Sequence, residues 1–114
     1  MASVVALSAQ AATLSSGNDY PSTLQSGQGA SHRLIFTTPT GASEGSTITI
    51  SFDTNFDTSS IIEDDVDIAD DGTDLTTAAD CTGSEQASVA IASDVVTITI
   101  CSGDGGAIAA TSQV

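Results

Sequence analysis

The chain contains no lysine and no tryptophan, and only one arginine, Arg33, and one histidine, His32, in 114 residues. Each absence excludes something. Against 15 acidic residues the single arginine leaves a formal net charge of −14, so a nucleic-acid backbone or an anionic membrane surface is repelled. Without lysine, no side-chain Lys–Asn isopeptide bond can form to brace the fold. With helix-forming Lys, Arg and Glu nearly missing, long amphipathic helices are not expected. Aromatic residues make up only 4% of the chain, so its interior must come from Val, Ile, Leu and Ala, with Phe36, Phe52 and Phe56 as the few large pieces. Nor is there an apolar run long enough to span a bilayer.

What is present is a β composition. Ser and Thr supply roughly three residues in ten, and these residues compete poorly in helices and well in strands and turns. The length suits a single domain covering residues 1–114. The opening MASVVALSAQAATLSS lacks the basic start and the continuous apolar stretch of an export signal. Residues 1–14 are therefore read as a first strand, with Met1-Ala2 as a start remnant and any native export signal upstream and already removed.

Along the chain, residues 15–29 form a turn-rich connection, and SHRLIFTT (31–38) forms a strand that stops at Pro39. STITISF (46–52) alternates cleanly, with Ile48, Ile50 and Phe52 on one face and Thr47, Thr49 and Ser51 on the other. Phe56, Ile61 and Ile62 are expected core anchors. Val66 and Ile68 keep a two-residue beat, which predicts a strand with outward carboxylates, followed by a tight turn at DDGTD. Residues 87–93 and 94–101 read as a hairpin about Ser93-Asp94, with Val96, Ile98 and Ile100 inward and Cys101 on the opposite face. SGDGG is a turn, and AIAATSQV begins another strand. Six to eight short strands predict an all-β, antiparallel, two-sheet sandwich.

The only cysteines are Cys81 and Cys101. No zinc-type spacing exists, and a disulfide between them is the simplest reading, with two buried free thiols as the alternative. A disulfide implies an oxidising, extracellular compartment.

The run DDVDIADDGTD raises the question of a cation. Asp64, Asp65, Asp67, Asp70, Asp71 and Asp74 are candidate calcium ligands, with Asp53 and Asp57 close in sequence. An EF-hand pattern fails, since a loop starting at Asp67 puts Ala69 and Ala78 where ligands belong. A charge run is more commonly a solvated face. For catalysis there is little: His32 lies within an apparent strand, where a packed or hydrogen-bonded role is the ordinary one, and no G-x-S-x-G motif occurs. The chain is read as non-catalytic.

The stretch SHRLIFTTPTGASEGSTITISFDTNFD resembles a domain that recurs in very large secreted and surface proteins of bacteria, and CTGSEQASVAIASDVVTITICSGDGGAIA is similar to its later half. The similarity spans roughly residues 31–110 and implies an immunoglobulin-like, or cohesin-like, sandwich acting as a spacer, coat or adhesion module. It also implies a final strand after AIAA-x-S-x-V, where this chain stops at Val114, so the sheet is expected to lack or exchange an edge strand. An unpaired edge accepts a strand from another chain. The segment SVVALSAQAATL, with Val4, Val5, Leu7 and Leu14 as its apolar contacts, is the expected donor, either within the subunit or between copies in a dimer or filament. Two functions follow as expectations: an extracellular structural or assembly module of a surface or filament protein, or a calcium-dependent adhesion or carbohydrate-binding module using residues 64–74.

Overall fold

Alternation of apolar and polar side chains dictates the central strands. In β3 (Thr47–Ser51) Thr47, Thr49 and Ser51 are exposed, while Ile48 is buried and Ile50 half-buried. Its partner β8 (Val95–Ile100) buries Val96, Ile98 and Ile100, and the neighbouring β7 (Ala87–Ala92) buries Ala87 and Val89. These faces merge with Ala42, Ile68 and Ile108 into one apolar cluster. The computed structural model describes residues 14–114, and among them the regular elements are β-strands plus one 3-10 turn at Glu63–Asp65.

Two further strands lie earlier in the chain, β1 (Ser15–Pro21) and β2 (His32–Thr38). Short strands complete the set: β4 (Ala69–Asp70), β5 (Thr73–Asp74), β6 (Thr77–Ala78) and β9 (Ser112–Gln113). They form a three-stranded sheet in the order β1-β2-β9, a four-stranded sheet β3-β8-β7-β6, and the small hairpin β4-β5. Every pairing is antiparallel except β6 with β7. Phe36 from β2 and Val114 after β9 pack on the cluster built by the four-stranded sheet, so the two larger sheets share one core. The all-β, antiparallel class expected from the sequence is thus present.

Connections explain the register. The two-residue turn between β7 and β8 pairs Ala92 with Val95 and places Ser93 at φ 54°. The Asp71-Gly72 turn of the β4-β5 hairpin has φ of 48° and 82°, the positive values that a two-residue hairpin of this kind demands and that Asp-Gly tolerates. Gly41, at φ 74°, lets the chain after β2 approach Ile108, where a Cβ would sit 2.4 Å from the Ile108 carbonyl oxygen. That approach permits the Ala42–Ile108 bridge.

Several expectations are corrected. Residues 15–21 are a strand, not part of a connection. Nearly every residue of β1 is exposed, so no apolar alternation marks it, and the turn-forming Gly17 and Asn18 sit in a register shift between Ser15 and Asn18. Val66 and Ile68 lie outside any strand; the acidic residues before them close a 3-10 turn instead, although Ile68 is buried at 4% exposure. AIAATSQV is broken by a turn with Thr111 at φ 66°, leaving only Ser112–Gln113 as β9. Ile62, expected in the core, is 53% exposed. The expected strand at residues 1–14, including Val4, Val5 and Leu7, lies outside the described residues apart from Leu14, which is exposed.

Candidate binding cleft

A broad open cleft lies beside the core, with the buried Val96 and Ile98 among its lining residues. From the three-stranded side, Leu34 and Phe36 of β2 and Val114 line an open cleft; from the four-stranded side, Ile50, Val96 and Ile98 face them. Phe52, Phe56 and Ile61 line it from the segment after β3, and the cleft has a volume of about 1610 Å³. A tightly packed interior of this chain's size leaves voids scarcely larger than a water molecule. A space this large, lined by polar residues of the 23–31 loop as well as by apolar side chains, is therefore a surface feature.

One end of the cleft is built around His32. Its ring packs edge-on against Phe52 and Phe56, each with a centroid separation of 5.5 Å, and the two phenyl rings lie 6.2 Å apart, also edge-on. The His32 Nδ1 lies 2.8 Å from an Asp19 carboxylate oxygen on the adjacent β1. This aromatic trio ties the β1-β2 hairpin to the end of β3, and the Asp19 contact orients the imidazole. Among the described residues His32 has no hydrogen bond to a serine. The geometry is that of a packed, oriented histidine.

A smaller pocket of about 410 Å³ lies beside Phe56, Thr58, Ile91 and Asp94. The Thr58 hydroxyl is buried there, 3.0 Å from both the Ser93 carbonyl and an Asp94 carboxylate oxygen.

The acidic run is spread out. Asp64 and Asp65 belong to the 3-10 turn, and the Asp65 carboxylate accepts the Ile62 N–H at 3.1 Å. Asp67 and Asp74 are exposed. Asp70 is half-buried, with one oxygen out of solvent and unpartnered among the described residues. Asp71 acts as a clasp. Its backbone N–H donates to the Gln113 carbonyl, while its carboxylate accepts the Gln113 N–H at 2.8 Å and lies 3.4 Å from the Ser112 hydroxyl. These contacts fasten β9 to the β4-β5 turn, a role that the residue's place in a charge run conceals. Among the described residues no three acidic, histidine or cysteine side chains converge to hold a metal ion.

Hydrogen bonding perturbs two other carboxylates. Asp57 sits below the usual carboxylate range because the Ser59 hydroxyl and then the Ser59 N–H donate to it. Asp80 is lowered in the same way by the Thr82 hydroxyl and N–H. Both are exposed Asx-type turns whose hydrogen bonds among the described residues are those to Ser59 and Thr82.

Cys81 and Cys101 are joined, with Cα atoms 5.4 Å apart. Cys101 is 1% exposed yet stands outside the main apolar cluster, and the bond ties the loop before β7 to the end of β8. No helix among the described residues is long and apolar enough to cross a membrane. Comparison with protein families, characterised proteins and solved structures finds no match to this chain.

Proposed function

We propose that this chain is a non-catalytic structural module of an exported surface or filament assembly, immunoglobulin-like in build, whose copies associate through the inter-sheet cleft. The observation that carries this reading is where the largest apolar side chains lie. All three phenylalanines line the cleft and none is fully buried; Phe56 is 49% exposed. The largest fully buried side chains are instead Ile100, Thr38 and Cys101. An aromatic ring removes on the order of 150–250 Å² from water when covered, so a chain with so few of them gains little by leaving them at an open cleft unless another surface covers it. The disulfide fits an oxidising compartment, and the acidic surface fits a module that must not bind membranes or nucleic acid.

Light scattering after size exclusion, with negative-stain electron microscopy, tests this reading on oxidised protein. Species larger than a monomer should grow with concentration. A strictly monomeric protein at millimolar concentration defeats the proposal.

A further inference from the structure

Resting on that reading, we propose that two copies meet along the outer edge of β3, whose five residues pair antiparallel with the same five of the second copy about a two-fold axis at Thr49. A sheet edge carries unpaired main-chain groups, and proteins guard long edges with charge, proline, irregularity or brevity. Most edges here are guarded. β1, the outer strand of its sheet, holds Asp19 and Pro21 and breaks register between Ser15 and Asn18. The strands β4, β5, β6 and β9 are each two residues long. β3 is the exception. Among the described residues it pairs only with β8, in unbroken register from Thr47 to Ser51, and residues 45–52 contain neither charge nor proline.

The hydrogen-bond phase of β3 fixes which groups it offers. Ile100 donates its N–H to the Ser46 carbonyl at 2.9 Å, and Phe52 donates its own to the Asp94 carbonyl at 2.8 Å. Residues of an antiparallel strand turn their main-chain groups alternately to one side and the other. Ser46, Ile48, Ile50 and Phe52 therefore face β8, and Thr47, Thr49 and Ser51 direct their N–H and carbonyl groups outward. A second β3 centred on Thr49 sets Thr49 against Thr49 and Thr47 against Ser51, and in this phase each such pair exchanges two bonds. The side chains agree with that axis. TITIS reads hydroxyl, Ile, hydroxyl, Ile, hydroxyl from either end, so Ile48 meets Ile50 of the second copy on one face and hydroxyls meet hydroxyls on the other. A two-fold contact requires a self-complementary strand, and this palindrome selects a second copy over an unrelated partner. Ile50 lines the cleft, so the apolar layer beside it continues across the axis. The flanking acids do not collide, since Glu44 falls opposite Thr54 and Asp53 opposite Gly45. Their carboxylates are also engaged within their own chain. Glu44 accepts the N–H groups of Gly103 and Gly105, and Asp53 accepts that of Asn55.

Thr49→Cys tests axis and register together in the assembled protein. Facing residues of a hydrogen-bonded pair have Cα atoms about 5.5 Å apart, within the span of a disulfide, so mild oxidation should give a covalent dimer on a non-reducing gel. Thr47→Cys should not link to itself, lying about 14 Å from its counterpart by the strand rise, but should link to Ser51→Cys when the two variants are mixed. No dimer from Thr49→Cys, or self-linkage of Thr47→Cys as ready as that of Thr49→Cys, overturns the inference. Thr49→Pro removes an N–H that points away from β8, so the sheet keeps its own bonds. It should raise the concentration at half-assembly about a hundredfold, because two bonds between copies are lost and their carbonyls are left unpaired. Thr49→Asp, which sets two carboxylates face to face, should act in the same direction. Thr97→Asp adds the same charge one strand inward and should change that concentration less than about threefold, with circular dichroism confirming that each variant is folded. Amides of Thr47, Thr49 and Ser51 should exchange with deuterium rapidly in dilute monomer and slowly after assembly; full protection in the monomer overturns the inference. If the unaltered protein assembles and Thr49→Pro assembles equally well, the edge assignment fails while self-association stands. If the unaltered protein never assembles, the functional reading fails and this inference with it.

Discussion

Removing the disulfide has a magnitude that the structure supplies. Cys81 and Cys101 are 20 residues apart, and closing a loop of that length in the unfolded chain is worth about 3.3 kcal/mol on the chain-entropy account. Cys81 is exposed whereas Cys101 is buried, so Cys81→Ser breaks the bond with little loss of packing and leaves the Cys101 thiol as a small buried apolar group. A chain of this size has an unfolding entropy of about 0.24 kcal/mol/K, so Tm should fall by about 14 °C. Because the bond acts largely on the unfolded ensemble, the urea m-value should rise as that ensemble expands. Cys101→Ser should cost about 1–3 kcal/mol more, since it leaves a hydroxyl at a buried position. The measurement is urea and thermal unfolding by circular dichroism, with the parent kept oxidised and reductant added only to the single-cysteine variants to prevent linkage between chains. A loss below about 4 °C with an unchanged m-value would refute the reasoning. It would mean that the β7-β8 pairing, with the Cys101 N–H donating to the Gln86 carbonyl, already holds this loop in the unfolded chain.

Ile98→Ala removes a 3% exposed side chain at the centre of the cluster and should cost about 2–5 kcal/mol in urea unfolding; Leu24→Ala, at 91% exposure, should change stability by less than about 0.5 kcal/mol. Calcium should raise Tm no more than another divalent cation at matched ionic strength, because no three acidic groups converge among the described residues. Sodium chloride alone should raise it by screening a net charge of −14. For Asp57 the folded-state pKa is depressed, so its contribution to stability is present above the ordinary value of 3.8 and is lost as pH falls through the lower, folded value. Ser59→Ala should move the Asp57 midpoint, followed by carboxyl chemical shift, upward towards 3.8.

How much of this was legible depends on whether a residue's role is set locally. The strands β3, β7 and β8 were readable because each buries one face, and a two-residue alternation records that directly. The turn at Asp71-Gly72 was readable because its backbone needs positive φ at two successive positions. By contrast, β1 is held by main-chain pairing to β2 with both faces in water, so side-chain pattern carries no trace of it. The Asp71 clasp on Gln113 spans 42 residues, and the His32–Asp19 contact follows from a strand pairing that was read as a loop. The cleft was least legible. Alternation tells which side chains face inward, not how far apart the two sheets come to rest.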